Sequence, residues 1–143
     1  VGGTNDMETK EKKDRVDDAV GALRSAMLGG YVPGGGSALY FIADKLKNPF
    51  KDDASKGYEI VREAIKQPYI QILKNANLNS EAFTLTSFGQ GVDVKKRKLV
   101  NMYSAGIIDS KRVLETALSN AISVSNTIFQ TDILILNGLQ TTF

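Results

Sequence analysis

The 143-residue chain predicts a mainly α fold with a few short strands. Apolar residues recur three and four apart through most of its length, the period of a helix with one buried face. The stretches that break this period are short and rich in glycine, asparagine or proline, as connections between helices are. Strand-like patterning is confined to a few residues around Val92 and to the continuous apolar run Ile133-Leu134-Ile135-Leu136, which at that length reads as a buried strand.

Residues 6 to 28 read as one helix, with Val16, Val20, Leu23 and Met27 along one stripe. Its front half alternates in sign. Glu8 with Lys12, Glu11 with Arg15, and Lys13 with Asp17 stand four apart, a spacing that supports a solvated helix by a few tenths of a kcal/mol per pair. The expected element is an exposed arm whose rear packs on something, stopped by Gly29 and Gly30. Leu39, Ile42, Ala43 and Leu46 mark a second helix, ended by Asn48-Pro49. A third spans 55 to 66 with Ile60, Val61, Ala64 and Ile65 as its apolar side. Pro68 either opens a fourth helix at a first-turn position or kinks the third; Tyr69, Ile72, Leu73 and Ala76 carry the stripe onward. Ser80 and Glu81 open a short helix through Phe83 and Leu85. Gly89 and Gly91 bracket a turn, and Val92, Asp93 and Val94 suggest a short extended pair. Asp109 is expected to cap the longest helix, running to about Gln130. There Val113, Ala117, Ala121, Val124 and Ile128, widened by Leu114, Leu118 and Ile122, make a face expected to be buried.

Composition narrows the chemistry. Hydrophobic residues at 42% and charged residues at 24% are ordinary globular values, so neither a disordered chain nor a fibre is implied. A net charge of +2 is too small to argue for nucleic acid or an anionic membrane surface. No apolar run approaches membrane-spanning length. Cysteine and histidine are both absent, which excludes thiolate and imidazole chemistry and leaves carboxylates, lysines, hydroxyls or a bound ion.

Against that background Gly34-Gly35-Gly36 stands out. Each glycine loses more backbone entropy on ordering than any other residue. A run of three before a helix start near Ser37 suits close approach of an anionic or polar group to free N–H groups; a flexible hinge between two helices accounts for the same residues. Asp18 lies about 200° around its helix from Val16 at ~100° per residue, away from the apolar stripe. Asp14 precedes it by one turn, a like-charge placement that a purely structural helix gains nothing from. A solvent-facing carboxylate is the plain account of Asp18, and a helix cap that of Asp109. Lys95, Lys96, Arg97 and Lys98 form the one strongly basic run, explained more cheaply by a solvated turn than by a phosphate contact.

Val1-Gly2-Gly3-Thr4, the run from Lys10 to Ala19 containing Val16-Asp17-Asp18-Ala19, and Val32-Pro33-Gly34-Gly35-Gly36 resemble the segment of the group I chaperonins, the GroEL family, that leads from the intermediate into the equatorial domain. Ser104-Ala105-Gly106-Ile107-Ile108-Asp109, with Lys111 and Val113, is similar to that family's second nucleotide signature. The resemblance covers nearly the whole chain, most weakly at 77 to 100. It implies the end of an intermediate domain at 1–30 and the C-terminal half of an equatorial ATP-binding domain at 31–143, cut from a longer protein. By the same resemblance Asp18 is the hydrolytic carboxylate that orients the water attacking the γ-phosphate, with a candidate contact to Mg2+. Gly35 lies against ribose and base, Asp109 binds the ribose, and Asp93 and Val94 fall where an Asn-Ala-Ala triplet usually contacts adenine. Pro33 stands where other members often have alanine, Lys95 replaces a small residue of the triplet, and Ser110 stands where many have proline.

The implied cofactors are ATP and Mg2+, with K+ as a further candidate. The implied partners, through the parent protein, are unfolded client proteins, a co-chaperonin and the other subunits of a ring; nucleic acid and membrane are not among them. Localisation would be an organelle matrix or stroma, or the bacterial cytoplasm, and Ile60-Val61-Arg62 and the wording of 105 to 109 are nearer to plastid-type members. The family's phosphate-gripping Asp-Gly-Thr-Thr-Thr loop does not occur in the chain, nor does a P-loop. The expected role is therefore one wall of an ATP pocket, with little activity alone. Two rivals remain open: a helical interaction module without nucleotide, and an unrelated nucleotide enzyme with a glycine-rich helix start.

Overall fold

A computed structural model describes residues 2–133. Among them five α-helices dominate: α1 (Asp6–Gly29), α2 (Ser37–Lys45), α3 (Ala54–Ala64), α4 (Gln67–Asn75) and α5 (Lys111–Phe129). A single 3-10 turn covers Ser80–Ala82. The strands form two antiparallel pairs, β1 (Tyr31–Pro33) with β4 (Ile108–Ser110) and β2 (Gln90–Asp93) with β3 (Lys98–Asn101). The mainly α class expected from the sequence is the class observed.

The 24-residue α1 is the longest described helix, rather than α5 with 19. Its start is built reciprocally: the Asn5 side chain accepts the Glu8 N–H at 2.8 Å, while the Glu8 carboxylate accepts the Thr4 N–H at 2.7 Å. Glu8–Lys12 and Glu11–Arg15 are ion-paired as their spacing predicts. Gly30 ends the helix at φ 82° and donates its N–H to the Ala26 carbonyl at 2.8 Å. No α1 residue is buried. The arm packs near its C-terminal end, where the Lys111 N–H donates to the Gly30 carbonyl at 3.1 Å and the Ser110 hydroxyl to Ser25 Oγ at 2.9 Å.

The core lies elsewhere. Tyr69 and Leu73 from α4, Leu85, and Val92 from β2 form its buried centre, with Tyr40, Phe41, Leu78, Phe83 and Val94 packed around it. Pro68 opens α4 within its first two positions, where the missing N–H has no partner to lose. On α2 the core takes Ala38 and Ala43 and leans on Tyr40 and Phe41, whereas Ile42 and Leu46 of the expected stripe stay exposed. The extended pair expected around Val92 is the β2–β3 hairpin, and Lys95, Lys96 and Arg97 lie in its turn. Gly91 is part of β2 rather than the rim of a turn: a Cβ there would lie 2.7 Å from Met102 Sδ.

Two expectations about the end of the chain are corrected. Asp109 is not the helix cap; it sits in β4 opposite Val32, and Ser110 occupies the cap position without a side-chain bond to the helix. The reason is that residues 108–110 are drawn into the ladder with β1, so the helix starts later. The apolar face of α5 is also not buried, since Val113, Ile122, Val124 and Ile128 are exposed and no α5 residue is buried. Periodicity identifies an apolar side, not what covers it. The strand expected at Ile133–Leu136 falls on 134–136, outside the described residues.

Tyr69 carries an internal cost. Its hydroxyl is buried without a hydrogen-bond partner among the described residues, and its ring lies 4.6 Å from that of Tyr40. Burial, then the neighbouring Tyr40, pushes its pKa from 10.0 up to about 12. Tyr69→Phe keeps the ring and removes the unpaired hydroxyl, so we expect a gain of about 1 kcal/mol in urea unfolding. Because the folded-state pKa is raised, the stability of the unaltered chain should be full below pH 10 and fall as pH rises toward 12, as the unfolded chain ionises first. The phenylalanine variant should lose that component of the decline. A lower unfolding midpoint in the variant would mean that the hydroxyl has a partner.

Candidate functional site

The glycine run joins two layers of the molecule. β1 pairs with β4 in the register Tyr31↔Ser110, Val32↔Asp109 and Pro33↔Ile108. The Gly34 N–H then donates to the Ile107 carbonyl at 3.0 Å, carrying the ladder one step further. Gly35 and Gly36 follow in the left-handed region, at φ 63° and 74°, and turn the chain into α2. The Ser37 hydroxyl donates to the Gly34 carbonyl at 2.7 Å and closes the turn.

The three glycines serve different ends. A Cβ on Gly36 would lie 2.7 Å from the Tyr69 backbone nitrogen, and one on Gly34 would lie 3.1 Å from the Ile107 carbonyl. Both positions are backbone approaches that a side chain would push apart. A Cβ on Gly35 meets only the terminal methyl of Met102, at 3.5 Å, an ordinary van der Waals distance. Gly35 is the glycine with space in front of it.

That space is a cleft of ≈ 390 Å³ lined by Gly35, Ile72 of α4, Val92 to Lys96 of the hairpin, and Ala105 and Ile107 before β4. Its size falls within the roughly 300–1,000 Å³ of small-molecule sites. The tight stretch after β3 draws its far wall in: Met102 N–H donates to the Gly89 carbonyl at 2.8 Å, and Ile107 N–H to the Met102 carbonyl at 2.9 Å. Gly35, Asp93 and Val94, singled out from sequence, are thus brought together across almost sixty residues of chain. Ala105 and Ile107 belong to the stretch that resembles the second nucleotide signature, whereas nothing in the sequence marks Ile72 as a cleft residue. Ile72 belonged to a stripe read as core, and its partial exposure on α4 is what makes it a cleft wall.

Asp109 does not itself line the cleft; it stands two residues beyond Ile107, which does, and its carboxyl takes the Gly35 N–H. Partial withdrawal from water pushes its carboxyl above the usual carboxylate pKa, and the Gly35 backbone N–H opposes that rise. Freed from capping, the carboxylate has acceptor capacity left for a ligand hydroxyl. Asp93 is in the opposite condition. It is 7% exposed, and its Oδ1 accepts the N–H groups of Lys95 at 3.0 Å and Lys96 at 3.1 Å. The Lys96 ammonium stands 3.4 Å from Oδ2. These bonds, the Lys96 N–H first, hold its carboxyl below the usual range. Asp93 therefore builds the turn, and its carboxylate is spent there.

Asp18 does not line the cleft. It is exposed on α1, about 18 Å along the helix from Gly30 at ~1.5 Å per residue. Among the described residues no group of three acidic side chains stands ready to hold a metal ion.

The unequal glycines give a paired test. Gly36→Ala should cost on the order of 1–3 kcal/mol in urea unfolding, from left-handed strain and collision with the Tyr69 backbone. Gly35→Ala carries the conformational strain but little collision, so its cost should be the smaller of the two. If the two variants were equally destabilised, the packing distinction between them would be wrong.

Against known proteins, the chain is 42% identical over 142 residues to the mitochondrial chaperonin CPN60 of Euglena gracilis, covering 92% of this chain and 25% of that protein. It is 38% identical over 143 residues to the chaperonin GroEL of Orientia tsutsugamushi, covering 94% of this chain and 26% of that one. The chain thus spans about a quarter of the length of these curated relatives. A crystal structure of a group III chaperonin in the open state matches with a TM-score of 0.81 at 25% identity, over 94% of this chain and 30% of that chain. Residues 1–138 match the TCP-1/cpn60 chaperonin family, and with the helical fold and the cleft described above, the chain belongs to that family.

Proposed function

We propose that this chain is the rear part of a group I chaperonin subunit, contributing one wall of the ATP pocket and the hydrolytic carboxylate of a ring ATPase that assists protein folding. Residues 1–30 would end the intermediate domain and 31–143 form the C-terminal half of the equatorial domain. The observation that carries this reading is the convergence of Gly35 with Val92 to Lys96 on one cleft, with Asp109 at its side. Mitochondrial and bacterial sequence relatives support the group I branch and a matrix or bacterial cytoplasmic location.

The residues divide the work. Gly35 lets ribose and base lie against the backbone, where any side chain would stand in the cleft. Asp109 accepts from a ribose hydroxyl. The aliphatic walls Ile72, Val94 and Ile107 hold a flat ring without directing it. Bound ATP with Mg2+, and K+ as a further ion, supplies the scissile phosphoanhydride. Asp18 would orient the attacking water when the front of α1 closes on the pocket in the full-length protein. Phosphoryl transfer asks for positioning and charge management rather than covalent chemistry, which a carboxylate can meet. Clients, co-chaperonin and ring neighbours would meet the full-length subunit.

A second reading, a helical interaction module without nucleotide, is favoured by one observation. The apolar side of α5 is open, with Phe129 82% and Ile128 65% exposed. In the longer protein such a face would be covered by other parts of the subunit.

Asp18→Ala in the full-length protein should leave ATP affinity nearly unchanged while slowing turnover by two orders of magnitude or more, on the order of 3 kcal/mol of transition-state stabilisation. Parallel loss of binding and turnover would assign Asp18 a structural role. For the 143-residue chain by itself, titration calorimetry with Mg-ATP should give a Kd of about 1 mM or weaker, and light scattering should report self-association. A monomer binding ATP at micromolar Kd would contradict the one-wall reading.

A further inference from the structure

Resting on the nucleotide reading, we infer that Met102 is a positioning residue for the cleft. Its buried thioether holds the Gly35 backbone at a set distance from β2, so nucleotide affinity depends on the length of this side chain. The walls of the cleft come from three separate segments: the glycine turn with Gly35, the hairpin from Val92 to Lys96, and Ala105 and Ile107 before β4. The β1–β4 ladder and its extension through Gly34 join the first segment to the third. Met102 does not line the cleft, yet it reaches all three.

Its side chain lies flat on the backbone of Gly91, the residue before Val92. A Cβ at Gly91 would fall 2.7 Å from Met102 Sδ, 2.8 Å from Cγ and 2.9 Å from Cε. The same Cε stands 3.5 Å from the place a Cβ would take on Gly35, where among the described residues no other atom beyond the chain neighbours comes within 4 Å. One methyl group thus fills the gap between two backbones that carry no side chains of their own. The main chain of Met102 is fixed as well, donating to the Gly89 carbonyl at 2.8 Å and accepting from the Ile107 N–H at 2.9 Å. At 1% exposure the side chain has no open direction in which to move aside. An unbranched thioether suits such a slot, because it can run along a strand and end in a methyl. Leucine fills a similar volume but ends one bond short, which leaves the place beside Gly35 empty. A wall without backing gives way under a ligand, and the ordering it then needs appears as weaker binding.

The chain's three methionines supply the test. Met7 and Met27 are 84% and 79% exposed on α1, so the Met102 methyl should be resolved from theirs in a chain labelled with 13C-methyl methionine. On titration with Mg-ATP to about 10 mM, the Met102 methyl should shift in step with the Gly35 amide while Met7 and Met27 stay still. In the full-length protein, Met102→Leu should raise the KM for ATP roughly threefold to tenfold with kcat within about twofold, because Asp18 and the scissile bond are untouched. Gly91→Ala displaces the same methyl from the other side without entering the cleft. It should act in the same direction, and it carries the test if the leucine variant does not fold. A silent Met102 methyl beside a responding Gly35 amide, or an unchanged KM in a folded variant, overturns the inference and leaves the pocket standing. A fall in kcat as large as the rise in KM overturns it too, since backing one binding wall does not act on the chemical step. If Mg-ATP moves neither signal, the nucleotide reading itself falls.

Discussion

The structure around the cleft depends on two close backbone approaches at glycines, one that a side chain would break and one that it would crowd. Gly36 lies against the start of α4 at Tyr69, and Gly34 lies against Ile107 before β4. The first contact holds α2 to the core helix. The second extends the β1–β4 ladder, so the chain leaves the sheet at the height of the cleft. With both ends fixed by close packing, Gly35 between them has no freedom to retreat, and its φ of 63° is held by its neighbours. The entropy lost by ordering three glycines is offset by contacts that a methyl group would break at Gly36 and crowd at Gly34.

Electrostatics in the same region separates two aspartates of equal charge into different tasks. Asp93 accepts two backbone N–H groups and is drawn into the hairpin, where it acts as a structural turn residue. Asp109 lies in a strand whose backbone groups are used by the ladder, and its side chain remains available beside the Gly35 N–H. Ser110 contributes to that availability. By carrying the helix start one residue on and bonding to Ser25, it relieves Asp109 of capping and ties the arm to the sheet.

Much of this was legible in the residues. The charged front of α1, the glycine stop at 29 and 30, Pro68 at the head of α4 and the hairpin around Val92 all follow from local rules of spacing and capping. The family resemblance also named Gly35, Asp93 and Val94 together, and the structure places these three on one cleft. What stayed hidden was non-local. Tyr31-Val32-Pro33 is too short for alternation to register and contains a proline, and its partner strand lies 79 positions further on (110 minus 31). Without that pairing Asp109 looks like a cap, and with it the helix must begin later. The state of Asp93 was equally unreadable, since a carboxylate that closes a turn and one that faces a ligand have the same sequence. The open side of α5 marks the same limit, because the stripe names its apolar residues without naming their cover.

The long span between β1 and β4 also sets an order of assembly. The β2–β3 hairpin closes over a few residues, and α4 meets its neighbours over a few tens. Joining Tyr31 to Ser110 must restrict a loop spanning most of the described chain. The entropy of that closure rises only slowly with length, but it is repaid by a ladder of three residue pairs. The pairing therefore becomes favourable once the intervening helices have shortened the effective loop. Nascent chain leaving a ribosome would hold a formed hairpin and a partly formed core before it held any cleft, because Ser110 is synthesised after all of them. The wall of the cleft that Gly35 and Ile107 share thus forms only after the hairpin and the core it rests on, because it depends on the β1–β4 pairing.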